Sequence, residues 1–362
     1  MRRLISLAGF AVPCILGAQD IPLKPGVMLT YATQPIDSTA RDDFERDITV
    51  DTVTTDEVRL LDVAENQLKP SNKIGKLEID RTVSHREATL AREIWLGNET
   101  PDLDQHRGTS WMALSNVLMK QLRANGQAEV TIGQTGFEGA ATMTRVEPNP
   151  VPVSVLINGT PRMVPTMHTR ITVRPSGLMQ LSSGAKATYD FWFVDDTTMA
   201  WIVKYTGTET FNDTVRTGDR QVGLQQLVRV EWGDMGTAKA MGAMLGGKTC
   251  RVPVYGIHFA TGSAVLTASS TPTLKQVADL LKQNSTWVVT IEGHTDSVGG
   301  AAYNKDLSER RSAAVRTALV TSYGIPAARL STTGYGLTRP VDKNSTLAGR
   351  ARNRRVELAR KC

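Results

Sequence analysis

Residues 287–324 read WVVTIEGHTDSVGGAAYNKDLSERRSAAVRTALVTSYG. Trp287 to Glu292 carries β-branched residues in an alternating pattern, as a strand does. Gly293-His294-Thr295-Asp296 leaves that strand, and Gly299-Gly300 lets the backbone turn back tightly. A helix is expected from Tyr303 to Tyr323, stopped by Gly324 with Pro326 beyond it. At about 100° per residue, Leu307, Ala314 and Ala318 define its core face, and Asn304, Ser308, Arg311 and Val315 form an adjacent stripe. Strand, tight turn and long helix in that order predict a small sheet covered by helices.

Working outward, Tyr255 to Phe259 reads as a short strand. Ser270 caps a helix with Pro272 in its first turn and Leu274, Val277, Ala278 and Leu281 along one face. Leu330 to Thr333 and Arg355 to Ala359 supply two more strands. Upstream, Gly246-Gly247-Lys248-Thr249 looks like a hinge, and the pattern before it is strand-like. Ile48 to Val53, Val58 to Val63, Ile74 to Val83, Ala128 to Gly133, Met163 to Val173, Ala187 to Val194 and Met199 to Tyr205 are β-rich runs. Asn158-Gly159 and Asp195-Asp196 are turn signals between such runs. Trp111, Leu114, Leu118 and Leu122 break the trend at helical spacing, from a Thr109/Ser110 cap to an Asn125-Gly126 stop. The expected fold class is α+β. An antiparallel β-rich domain, a curled sheet or half-barrel with one helix, precedes an α/β sandwich. The expected organisation is a signal peptide at 1–18, the β-rich domain at 19–245, a hinge at 246–252 and the sandwich at 253–362.

A chain of 362 residues suits two domains, and 40% hydrophobic with 22% charged residues excludes a disordered class. Met1-Arg2-Arg3, the apolar run Leu4 to Leu16 and Gly17-Ala18 read as an export signal, too short to span a bilayer. Cys14 follows Pro13 and lacks the small residue that a lipidation signal places before its cysteine. Loss of the signal leaves Cys250 and Cys362, which flank the sandwich. A bond between them in an oxidising compartment closes a long loop, provided the sheet brings the two ends together. Net charge is +6, yet from Arg251 onward sixteen Lys+Arg face seven Asp+Glu. This asymmetry points to an anionic partner for the C-terminal part. Nucleic acid is not expected, because the chain is exported and no stacking-aromatic motif accompanies the arginines. For the N-terminal half an outer-membrane barrel is the rival reading. It is disfavoured by aromatics of only 6% and by the absence of ten-residue strands with aromatic girdles.

Arg311 lies beside the apolar face of its helix, where a guanidinium needs a carboxylate or a similar acceptor. Asp296, at the end of the preceding strand, is the candidate partner. Such a pair is either a structural salt bridge or a clamp for a ligand bearing both an ammonium and a carboxylate. Glu292, His294 and Asp296 alternate to one face and, with His258, raise a metal reading. Catalytic zinc sites usually call for two or more histidines with supporting contacts. Neither the paired carboxylates of a glycosidase nor a His-rich amidase site is present. The expectation is a non-catalytic protein with no cofactor.

From about residue 252 to 362 the sequence resembles the OmpA-like C-terminal domain family. The match runs through Ile257-x-Phe259-x-x-x-Ser263, Gly293-His294-Thr295-Asp296-x-x-Gly299 and Tyr303-Asn304-x-x-Leu307-Ser308-x-x-Arg311. It continues with Gly334-Tyr335-Gly336, Pro340, Asn344-x-Thr346, Gly349-Arg350 and Asn353-Arg354-Arg355-Val356-Glu357. Ser312 stands where Ala is usual. The resemblance implies that Asp296 and Arg311 hold the diaminopimelate of the peptidoglycan stem peptide, with Asn304, Leu307 and Arg354 lining the same groove. It implies a periplasmic, cell-wall-associated envelope protein that anchors its N-terminal domain non-covalently to the wall. A periplasmic or outer-membrane protein is the partner class expected for that N-terminal domain. The alternative is an outer-membrane β-barrel with a C-terminal peptidoglycan anchor.

Overall fold

The structure is a computed structural model that describes residues 21–34, 43–65, 76–95, 109–110, 112–134, 137–173, 186–196, 199–212, 217–232, 241–259 and 262–362. The expected signal at 1–18, Trp111 and Ile74 lie outside the described residues.

The N-terminal half is built on strands β1 (Met28–Gln34), β2 (Phe44–Val53), β3 (Glu57–Glu65) and β4 (Lys76–Ser84). Helix α1 (His85–Leu90) follows, then β5 (Glu93–Trp95), β6 (Thr109–Ser110), β7 (Ala113–Leu114) and helix α2 (Asn116–Asn125). Next come β8 (Gln127–Gln134), β9 (Phe137–Arg145), β10 (Val151–Ile157), β11 (Thr160–Val173), β12 (Lys186–Val194), β13 (Ala200–Asn212) and β14 (Thr217–Glu231). The main path is β4-β3-β2-β1-β14-β13-β12-β11-β9-β8-β5-β6. Strand β10 pairs with β11 on one side and with β14 on the other, so the sheet curls to bring those two strands together. Most pairs are antiparallel, but β5 runs parallel to β6 and β8, and β10 runs parallel to β14.

Side-chain alternation along β13 separates two cores. Ala200 and Ile202 face the cluster around Leu118 and Leu122 of α2 with Phe191 and Phe193, whereas Trp201 and Val203 face a cluster with Leu29, Ile48, Leu60 and Leu227. The second core also encloses an ion pair, with Arg46 Nε donating to Asp62 at 2.6 Å. Two expectations are corrected here. Helix α2 is capped by Ser115, not by Thr109 or Ser110, because those residues and Ala113–Leu114 are held in strands. Its stop at Gly126 is as read, with φ 70°. Helix α1, closed by a Ser84/Glu87 capping box, is additional to the one helix expected.

The C-terminal unit starts earlier than expected. In helix α3 (residues 241–246), Met241 and Leu245 pack into the C-terminal core, and Arg360 Nε donates to the Leu245 carbonyl at 2.6 Å. The glycine-rich stretch is therefore built into this unit, not a free hinge. Strand β15 is Arg251–Val254, not Tyr255–Phe259, because Gly256 at φ 80° breaks the extended backbone. Helix α4 (Thr271–Gln283), strand β16 (Val289–His294), helix α5 (Ala301–Thr321), strand β17 (Leu330–Gly336), helix α6 (Leu347–Asn353) and strand β18 (Val356–Arg360) complete it. The sheet order is β15-β18-β16-β17, with β16 and β17 parallel across α5. Helix α5 buries Asn304, Leu307, Ser308, Ser312, Val315 and Leu319, so its core face is rotated toward the expected adjacent stripe. Gly293 and Gly334 cause that rotation. A methyl on either would overlap the backbone of α5 at Ser308 or Glu309, so the helix lies directly against the two strands there. Cys250 and Cys362 are disulfide-bonded, with Cα atoms 5.6 Å apart, beside the antiparallel β15–β18 pair.

The two halves meet along α6. Leu347, Ala348 and Ala351 pack on Ala32 and Val228. Asp43, Glu45 and Asp47 alternate toward the C-terminal unit. Asp43 accepts from Arg350 Nε at 2.7 Å, Glu45 lies 3.5 Å from Arg354 Nη2, and Asp47 lies 3.5 Å from His258 Nε2. Arg352 Nη2 donates to the Ser154 carbonyl at 2.7 Å. Burial works to raise the Glu45 carboxyl, but Arg229, Arg354 and His258 outweigh it and hold it down at about 2.

Gly293→Ala should lower the stability of the C-terminal unit by about 1–3 kcal/mol or more, read from the urea midpoint. Replacing Cys250 and Cys362 by serine removes a crosslink spanning 112 residues, and the loss should be at most about 4–5 kcal/mol. Non-reducing mass spectrometry of the wild type checks the bond itself. Because its folded pKa is depressed, Glu45 contributes stability above its ordinary 4.5 that is lost as pH falls toward about 2. The stability curves of wild type and Glu45→Gln should accordingly differ near neutrality and converge over that window in acid titration.

Candidate functional site

The C-terminal end of β16, the first turns of α5 and the junction of α6 with β18 enclose a small cavity of about 70 Å³, lined by Ile257, Phe259, His294, Arg311 and Arg354 and also by Glu45. Each element is pinned by a polar contact. Asp296 is buried, and its Oδ1 accepts from Val298 N at 3.0 Å, a local side-chain turn that fixes the loop into α5. Asn304 is also buried, and its Nδ2 donates to the Val298 carbonyl at 2.9 Å, holding the same loop from the helix side. Asn353 accepts from Val341 N at 2.8 Å and Asp342 N at 3.0 Å, and donates to Asn344 Oδ1 at 2.8 Å. It thereby fixes the loop before α6 and the start of Arg354.

The expected meeting of Asp296 with Arg311 is not what the structure contains. Asp296 Oδ2 accepts from Arg354 Nη1 at 2.9 Å. Arg311 instead lies over the Phe259 ring at 4.9 Å and donates its Nε to the Ser263 carbonyl at 2.9 Å. The attraction of a guanidinium for an aromatic face, and the carbonyl behind it, turn Arg311 away from Asp296. Among the described residues no carboxylate lies within ion-pair distance of Arg311. Burial first, and then the neighbouring Arg354 charge, pushes the Arg311 guanidinium down to about 10, so it remains a cation at neutral pH. Leu307 is buried one turn before it. Four of the five expected residues, Asp296, Asn304, Arg311 and Arg354, thus surround one loop and one helix end. Leu307 contributes packing below them.

Sequence reading missed Glu45. Its Oε2 accepts from Arg229 Nη2 at 2.7 Å, and its other oxygen faces Arg354. Nothing in the sequence around Glu45 marks it, because its role comes from the docking of the two halves.

The metal reading is also redrawn. Asp296 is engaged by Arg354, and the cluster that gathers is Glu292, His294 and Glu357. Arg251 Nη1 bonds both Glu292 and Glu357, lying 3.2 Å from the latter, and Arg355 Nε donates to Glu357 at 2.7 Å. A guanidinium nitrogen stands where a cation would have to sit. Burial first, and then the charge of Arg355, pushes His294 down to about 4. It is neutral at pH 7, so its approach to the two carboxylates is not an ion pair.

Residues 258–354 match the OmpA family. Over 84 residues the chain is 55% identical to outer membrane porin F of Pseudomonas aeruginosa, covering 23% of this chain and 24% of that protein. Over 102 residues it is 41% identical to the probable lipoprotein YiaD of Escherichia coli, covering 28% of this chain and 46% of that protein. The chain therefore spans less than half the length of either relative. A solved structure of the peptidoglycan-associated lipoprotein from Burkholderia pseudomallei is 30% identical, with TM-score 0.27, covering 29% of this chain and 88% of that one. No helix among the described residues is long and apolar enough to cross a membrane. By the family and sequence matches residues 258–354 are an OmpA-family domain, and the chain that carries them is a protein of the cell envelope.

Proposed function

We propose that the C-terminal unit binds peptidoglycan non-covalently, through the diaminopimelate of its stem peptide, and performs no catalysis. Arg311 carries this reading. It is a half-buried guanidinium with no carboxylate partner among the described residues, and it lines a cavity beside the loop of Asp296. An unpaired cation in such a place is costly, and an entering carboxylate relieves that cost with a charge-assisted, two-pronged contact. The diaminopimelate side chain ends in one carboxylate and one ammonium, and Asp296 is the acceptor for the ammonium. Asn304 holds the loop of Asp296 from the helix side, Leu307 packs beneath it, and Arg354 holds Asp296 in place.

Catalysis finds no support here. The buried imidazole of His294 titrates far from neutrality. Glu292 and Glu357 are each tied to an arginine. The N-terminal domain is read as periplasmic rather than as a membrane barrel. Both faces of β13 are buried in protein cores, and the buried Arg46–Asp62 pair lies within one of them.

In co-sedimentation with purified diaminopimelate-containing sacculi, Arg311→Ala or Asp296→Ala should remove most binding, since truncating one member of a desolvated charged contact costs about 2–5 kcal/mol. Circular dichroism should show both variants folded. Wild-type protein should bind lysine-type walls more weakly, because lysine lacks the terminal carboxylate that Arg311 would meet. Undiminished sedimentation of the folded double variant refutes the assignment.

A further inference from the structure

We propose that the N-terminal domain closes the ligand groove of the C-terminal unit: Glu45, held at Arg354, fills the cavity that an incoming carboxylate must enter to reach Arg311, so that binding requires β2 to separate from α6. This inference rests on the wall-binding reading above.

The contact has the form of a latch. Strand alternation projects Asp43, Glu45 and Asp47 from one face of β2 and its lead-in, while Arg350 and Arg354 lie four residues apart at α6 and its end. The acids meet Arg350, Arg354 and His258 in register. Glu45 reaches furthest, because it lines the same small cavity as Arg311 and Arg354. Arg354 Nη2 is buried and has no hydrogen bond, so its contact with Glu45 at 3.5 Å is a charge contact alone and the weakest hold on Glu45. Two carboxylates in one small cavity repel each other, and Glu45 is ionised throughout the neutral range. A ligand carboxylate therefore competes with Glu45 for the site.

The remaining interface favours opening. Its apolar part is small: Ala32, Val228 and the partly buried Leu224 against Leu347, Ala348 and Ala351. Buried ion pairs add little net stability once desolvation is counted, and polar contacts between domains commonly come apart. On release, Glu45 keeps Arg229 as its partner within the N-terminal domain, so its own charge is not left bare.

The test uses the full chain and two variants, Glu45→Gln and Asp43→Asn. The first keeps the side-chain size and removes the charge. The second opens the latch at its other end without touching the partner of Arg229. Sacculus co-sedimentation gives the affinity, and hydrogen exchange of residues 347–353 reports release of α6. Both variants should bind about tenfold more tightly, the gain expected when a binding-competent form present in about one molecule in ten becomes dominant, and their α6 amides should exchange faster. Unchanged or weaker binding by both variants, with wild-type binding intact, overturns the closure and leaves the wall-binding reading standing. No binding by the wild type or by variants whose α6 has been released refutes the wall-binding reading, and this inference falls with it.

Discussion

The C-terminal unit depends on how closely α5 approaches the sheet. Gly293 on β16 and Gly334 on β17 leave no room for a side chain beneath Ser308 and Glu309, and Gly336 sits against Asn304 and Lys305 in the same way. Ser308 exploits the close contact. Its hydroxyl donates to the Lys305 carbonyl at 2.8 Å and accepts from Gly336 N at 2.9 Å, fixing the helix along its axis and across the sheet. Asn304 and Arg311 lie about one turn to either side of Ser308, so both take their positions from this seat. Asn304 reaches the Val298 carbonyl, and Arg311 hangs over Phe259 at the open end of the sheet. A helix held farther off by larger side chains would carry both residues away from Asp296.

The positive balance of the C-terminal part reads differently once the contacts of each arginine are known. Arg329 donates to the Leu281, Asn284 and Trp287 carbonyls, at the C-terminal end of α4, where a cation suits the helix dipole. Arg316 serves the Leu330 and Ala327 carbonyls, and Arg360 serves Leu245. Arg251 and Arg355 neutralise Glu292 and Glu357. Much of the basic excess is thus spent on backbone carbonyls and internal carboxylates, with a further share turned toward the N-terminal domain. An anionic partner inferred from net charge alone rests on weaker ground than one inferred from the single guanidinium of Arg311.

The sequence carried the strand–turn–helix core well, because β16, α5 and Gly324 follow local rules of alternation, periodicity and glycine stops. It misjudged the phase of α5, because small polar residues occupy the line of closest approach. Counting apolar side chains favours Ala314 and Ala318 over Ser308 and Ser312, which are fully buried. Pro253 disguised β15. Proline is tolerated there because β15 is an edge strand of its sheet. Strands β1, β9, β10 and β14 and the short β5, β6 and β7 were not expected, among them the β10 that links β11 to β14. The pairing of Asp296 with Arg354 in place of Arg311 turns on tertiary direction, which spacing does not encode. Glu45 had no local signature at all, since both its neighbours in the site come from elements far along the chain.

These contacts form a line of alternating charge. Arg229, Glu45, Arg354 and Asp296 succeed one another, at 2.7, 3.5 and 2.9 Å, with Arg311 standing to one side. In such a line each ion is held by its neighbours, and exchanging one member for another of the same sign costs little compared with removing it. Glu45 is the member most easily exchanged. It is bound tightly to Arg229 on its own domain and loosely to Arg354 across the interface, so separation breaks the weaker contact and retains the stronger. Asp296 is the reverse case. Its partner Arg354 and its backbone donor Val298 both belong to the C-terminal unit, so it stays in place whether or not the N-terminal domain is docked. The unit therefore keeps Asp296 and Arg354 fixed to each other, and the contact of this line that docking makes and separation breaks is the one from Arg354 to Glu45.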